Sequence, residues 1–122
     1  MDMTEQEPKV YVVQEQMRFD RDSRQMVPRF PSISRATMYG ELVYLLSPTA
    51  APFSSESIVK ELHFKLKGFT ENDHLLLVGN PCLIGWVVSI AAQYNEGRVS
   101  LLQWSGKDQN YIPVFADLSP PK

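Results

Sequence analysis

The stretch from His74 to Asn95 most narrows the folds open to this chain. It reads HLLLV, then GNP, then CLIGWVVSIAAQYN. The first run predicts a short buried strand over His74 to Val78. Gly79-Asn80-Pro81 predicts a tight turn, with Asn80 capping a helix and Pro81 at its first position. Leu83, Ile84, Val87, Val88, Ile90, Ala91 and Ala92 cover much of that helix, so it is predicted to be largely buried. Asn95-Glu96-Gly97 predicts its end. A buried strand feeding a buried helix calls for a parallel strand after it, which is the α/β unit.

The neighbouring segments supply the rest of a sheet. Val10 to Glu15 (VYVVQE) does not alternate with polar residues, which predicts a strand covered on both faces. Gly40 to Leu46 predicts a second strand. Ser54 or Ser55 predicts the cap of a helix reaching about Lys67, with Ile58, Val59, Leu62 and Leu66 as its apolar stripe. Gly68 stops it, and Phe69 folds back on its last turn. Arg98 to Trp104 and Tyr111 to Phe115 predict an antiparallel hairpin, and Pro113 puts its second strand at an edge or bulge.

The predicted fold class is α/β: a small mixed sheet of about five strands, two main helices, two βαβ units and a C-terminal β-hairpin. One domain is predicted over 10–118, with flexible tails at 1–9 and 119–122. Two helices leave one sheet face to be covered by another segment or a partner chain.

Residues 16–38 form an arginine-rich excursion, QMRFDRDSRQMVPRFPSISRATM. Pro28 and Pro31 break any long helix, so the segment predicts a long ordered loop, with a short helical turn before Tyr39 capped by Ser32 or Ser34. Arg18, Arg21, Arg24, Arg29 and Arg35 face only Asp20 and Asp22, with Phe19 and Phe30 interleaved. A helical turn would align the first three arginines on one side. Such a segment can bind an acidic protein surface, with the aromatic rings as anchors. It can meet phosphates of a nucleic acid. It can also be a solvated face paired with Asp20, Asp22 and Glu41. The chain has 12 Lys and Arg against 14 Asp and Glu, a formal net charge of −2, which counts against nucleic acid.

Two further groupings are candidates. Gly79, Asn80 and Cys82 sit at a predicted helix N-terminus beyond a strand's carboxyl end, where a nucleotide or phosphate-containing ligand can bind. The bland reading is ordinary turn and cap chemistry, because one glycine makes neither a dinucleotide fingerprint nor a Walker loop. Trp104, Tyr111 and Phe115 cluster at the final hairpin, where they either close the core or offer a surface for a second copy.

No catalytic residue is predicted: there is no G-x-S-x-G, and neither His63 nor His74 is tied by sequence to Cys82. No metal is predicted, since Asp20 and Asp22 lack a third ligand at recognisable spacing, and no cofactor is called for. The single cysteine excludes an intrachain disulfide and fits a reducing compartment. The polar N-terminus is no signal peptide, and no run is long enough to span a bilayer. Cytoplasm is the expected location, the host's if the chain is viral.

From His74 to Val114 the chain resembles small accessory proteins of tailed bacteriophages. The resemblance lies in an apolar strand, the Gly-Asn-Pro turn, an Ala-rich helix and a strand with Trp104 near its end. It implies an accessory or host-interaction protein and carries no active residues over. The functional expectation is a small non-enzymatic accessory protein acting by protein–protein interaction, with a host protein or a second copy as partner and no membrane. The alternatives are a phosphate-ligand protein using the Gly79 turn and a nucleic-acid module using the arginines.

Overall fold

In a computed structural model that describes residues 7–122, the chain builds its main sheet outward from Lys9–Gln14 (β1). Val10 to Gln14 are all buried. An apolar run with no polar alternate can only sit where both faces are covered, and β1 is the second of five strands. The other elements are Met17–Asp20 (β2), Gln25–Pro28 (β3), a 3-10 helix Pro31–Tyr39, Glu41–Leu46 (β4), a short 3-10 turn Pro52–Ser54, Ser55–Leu66 (α1), His74–Leu76 (β5), Pro81–Gln93 (α2), Arg98–Ser105 (β6) and Asn110–Asp117 (β7). Of the tail predicted over 1–9, residues 1–6 lie outside the described residues, and Lys9 already pairs with Glu41.

The sheet order is β4-β1-β5-β6-β7. The first four strands are parallel, and β6–β7 is an antiparallel hairpin. The fold is therefore the mixed α/β sheet with a C-terminal hairpin that the sequence predicts. The path β4–α1–β5 crosses over β1, and β5–α2–β6 continues in the same direction, so right-handed crossovers put both helices on one face. Their core joins Tyr11, Val13, Leu45, Leu62, Leu75, Leu83 and Val87. On α1 the buried residues are Ile58, Leu62 and Leu66, one face at a spacing of four, each worth roughly 1.5–3 kcal/mol of burial. On α2 Leu83, Val87, Ile90 and Ala91 are buried, while Gly85, Ser89 and Gln93 stay exposed.

The step from β1 to β4 runs the other way across the sheet, and the same handedness sends it over the opposite face. The 3-10 helix lies there, burying Ile33 and Ala36 against Val10, Val12, Leu76, Leu102 and Tyr111. A spacing of three places those two side chains one above the other in a 3-10 helix. The excursion thus fills the face that two α-helices leave bare.

The excursion is not the loop predicted for it. Its first half is the β2–β3 hairpin, with Phe19 opposite Met26 and Asp20 opposite Gln25. Arg18 lies in a strand, and Arg21 and Arg24 lie in the turn, so the helical alignment of these three does not form. Its second half is the 3-10 helix, started by Pro31 with Phe30, not a serine, at the cap position and no side-chain cap bond. At α1, Ser54 takes the cap position, also without a side-chain bond. β5 stops at Leu76, because the Val78 N–H turns back to the Leu76 carbonyl.

Candidate functional site

In a doubly wound sheet, ligands enter the crevice beyond the carboxyl ends of the strands, where successive connections leave in opposite directions. Here that point lies between β1 and β5. It is occupied by Gln14, the last residue of β1 and only 2% exposed. The Gln14 Nε2 donates to the carbonyls of Ala50 at 2.7 Å and Ser47 at 3.0 Å. Its Oε1 accepts the Asn80 backbone N–H at 3.0 Å. Its own N–H donates to the Val78 carbonyl at 2.9 Å. One side chain ties the loop after β4 to the turn after β5. Gly79 makes room for it: a Cβ there would come within 2.8 Å of the Gln14 Cβ, and its φ of +142° suits glycine alone.

The same contacts occupy two of the backbone donors at the start of α2. The Asn80 N–H goes to Gln14, Pro81 has none, and the Cys82 N–H donates to the Asn80 Oδ1 at 2.9 Å. Asn80 is the cap that the sequence predicts, with Pro81 in the first turn. Gly79, Asn80 and Cys82 are brought together, with Cys82 exposed at the helix start.

From this carboxyl edge the β2–β3 hairpin projects as an arm. It is closed at its base by the Arg29 N–H donating to the Gln16 carbonyl at 2.8 Å. Asp20 orders the tip: its carboxylate accepts the Ser23 N–H at 3.1 Å, and its carbonyl accepts the Arg24 N–H at 2.8 Å. Hydrogen bonding from Ser23, side chain then backbone, holds the Asp20 carboxyl below its ordinary pKa. Arg24 closes the turn at φ +58°. Asp20 is thus committed to the turn, and among the described residues no three potential metal ligands gather.

Strand pleating sorts the arm's side chains. Met17, Phe19, Met26 and Pro28 share one face, and Arg18 and Val27 share the other. Phe19 is 57% and Met26 58% exposed, so the apolar face meets solvent. Phe30 is also exposed at the base, with the Arg29 guanidinium 5.8 Å above its ring. Arg18 lies 3.9 Å from Asp20. Arg35 belongs to the body instead, donating to the Gln109 carbonyl at 3.0 Å. Residues 17–30 hold four arginines and two aspartates, net +2 in a chain of −2, which leaves −4 for the remainder.

The third predicted grouping divides. Trp104 and Tyr111 pair across β6–β7 with ring centres 5.0 Å apart. Tyr111 is 5% exposed and part of the second core cluster, with Trp104 packed on it. Phe115, on the same sheet face, is 71% exposed.

Phe115 walls a cavity of about 740 Å³ at the amino ends of β5 and β6. Its other walls include Met38, Tyr39 and Asn72, with His74 and Ser100 on its floor. His74 Nδ1 is 2.7 Å from Ser100 Oγ. The Tyr39 ring meets the imidazole edge-on at 5.4 Å, and its hydroxyl donates to the Tyr111 carbonyl at 2.6 Å. Burial pushes the His74 pKa down, and the nearby Asp73 carboxylate offsets part of that. Sequence reasoning passed over this pair. The signal was there: His74 is the one polar residue of β5, Ser100 sits between Val99 and Leu101 in β6, and half-buried or buried polar residues must find partners.

Fold and surface together define a small doubly wound α/β protein whose distinguishing part is a projecting basic hairpin. No helix of the described residues is long and apolar enough to cross a membrane. The chain belongs to the phage Pam3 gp32-like protein family, whose pattern matches residues 8–118. No curated protein and no solved structure matches it.

Proposed function

We propose that this phage-family protein works without catalysis, by binding another protein through the β2–β3 arm. The observation that carries the reading is the arm's exposed apolar face, Phe19 and Met26, on a hairpin that carries Arg18 on its opposite face, Arg21 and Arg24 in its turn and Arg29 at its base. A two-stranded hairpin is marginal by itself in water, and exposed apolar side chains on it gain most by docking. Arginines clustered on one projecting element favour an acidic partner surface and speed encounter. A phosphate ligand at Gly79, Asn80 and Cys82 is the weaker reading, since it would compete with Gln14 and the Asn80 cap for the same N–H groups. Nucleic acid is weaker too, because the body behind the arm carries net negative charge. Self-association through β7 is weaker because the free edge of that strand is blunted. Pro113 points its missing N–H outward there, and Tyr39 already occupies the Tyr111 carbonyl.

The test is site-specific photo-crosslinking in phage-infected host cells. A photoreactive residue replaces Met26, or Lys60 on the exposed side of α1 as the control. The reading expects one dominant protein adduct from position 26, absent from position 60. Changing Arg18, Arg21 and Arg24 together to Ala reduces it about tenfold or more, the scale of a lost 1.4 kcal/mol. Identical adducts from both positions, or an adduct indifferent to the arginines, sinks the reading.

A further inference from the structure

We propose that the cavity between the 3-10 helix and the amino ends of β5 and β6 binds an uncharged, planar heteroaromatic compound of the nucleobase or nucleoside class. The site is separate from the arm, at the opposite end of the sheet, and does not depend on the protein-binding reading.

Three features of the cavity select the ligand. The first is its floor. The His74 imidazole is held at Nδ1 by Ser100 and at its edge by Tyr39. Among the described residues no group is bonded to Nε2, and no buried polar side-chain atom is without a partner, so Nε2 is open to the cavity. A serine hydroxyl either donates or accepts. The imidazole can therefore take either neutral tautomer, offering Nε2 as a donor or as an acceptor. Nucleobase edges carry both kinds of group side by side.

The second feature is the walls. Phe115 leaves most of its ring uncovered, Met38 is exposed nearby, and both line the cavity. Aromatic and thioether side chains make favourable contact with flat rings. A volume of about 740 Å³ is ample for a nucleoside.

The third feature is the rim. Glu71 and Asp117 bring two carboxylates, and Arg98 the one guanidinium, 3.4 Å from Glu71 and attracting Asp117. The single cation is already shared by two anions. A phosphate or carboxylate entering there meets net repulsion, whereas a neutral ring does not. Asn72 adds an amide at the mouth.

The experiment is a titration of the full-length protein at pH 7.5, followed by His74 ring nitrogen resonances and backbone amide shifts. The probes are adenosine, uridine, AMP and indole. The proposal expects a nucleoside to move the Nε2 resonance and the amides of Ser100 and Phe115. AMP binds at least about tenfold more weakly than adenosine, and indole, which lacks an acceptor edge, is weaker by a similar factor. Phe115→Ser, at an exposed position that leaves the core intact, lowers nucleoside affinity about tenfold; Ser100→Ala does the same by releasing the imidazole. Absence of any His74 shift at millimolar nucleoside overturns the proposal. So does AMP binding as well as adenosine, indole binding as well as adenosine, or full affinity in Phe115→Ser.

Discussion

Replacing Gln14 with Leu tests whether one amide holds the carboxyl edge of the sheet together. Leucine keeps most of the volume, so little cavity is created. What disappears is the pair of bonds from Nε2 to Ala50 and Ser47 and the bond from the Asn80 N–H to Oε1, at 2.7, 3.0 and 3.0 Å. Each is worth about 1 kcal/mol net. Because Gln14 is buried, its partners regain water poorly, and the loss comes to about 3 kcal/mol. With a urea slope of about 1.5 kcal/mol/M for a domain of this size, the midpoint falls by about 2 M at unchanged slope. Gln14→Glu sharpens the argument. It keeps an oxygen for the Asn80 N–H but sets a carboxylate against two carbonyls. Its proton is therefore held more tightly in the folded state than in the unfolded one. Relative to Gln14→Leu it is less stable at pH 8 and gains as pH falls and the acid protonates. Urea unfolding of the three proteins at pH 8 and pH 5 reads both effects. A Leu variant within 0.5 kcal/mol of the parent, or a Glu variant with no pH-dependent gain over Leu, refutes the clasp.

Gly79→Ala pushes a methyl to within 2.8 Å of Gln14 in a φ +142° backbone, so it costs about 2 kcal/mol or more by the same unfolding assay; a neutral result contradicts the close approach. His74 titrates below its ordinary value because it is desolvated, so the unfolded chain binds its proton more readily than the native one. Stability is therefore full above about pH 6.5 and is lost as pH falls below it toward the depressed native value. His74→Gln should flatten that slope in thermal melts between pH 8 and 5, and equal slopes would remove the burial argument. Tyr39→Phe frees the Tyr111 carbonyl on the open edge of β7, so it costs about 1 kcal/mol and raises self-association in analytical ultracentrifugation. A variant as monodisperse as the parent would show that Pro113 alone guards the edge.

The parts legible in the sequence are those with a local signal. Val10 to Val13, with no polar alternate, placed β1 inside the sheet, and Asn80-Pro81 marked the start of α2 because cap and first-turn chemistry are read from adjacent residues. Pro113 marked an edge strand for a similarly local reason, the missing N–H. The β2–β3 hairpin was harder to see. Its turn, Arg21 to Arg24, has neither glycine nor asparagine, and Arg24 takes the positive φ instead. The alternation of Met17 and Phe19 with Arg18 and Asp20 was the available clue. Gln14 and the His74–Ser100 pair depend on partners 26 to 66 residues away, which only the strand order brings near.

The hairpin also bears on how quickly the sheet can form. Pairing β1 with β4 requires the intervening chain to close a long loop before any ladder bond forms. Once Arg29 meets Gln16 and the arm has zipped up locally, the flexible length left to close is roughly halved, which lowers the closure entropy by about 0.6 kcal/mol. A projection read as a binding element therefore also acts as a shortcut in folding. Stretching its turn with glycines slows the rate of β1–β4 assembly while leaving every contact of the main sheet in place.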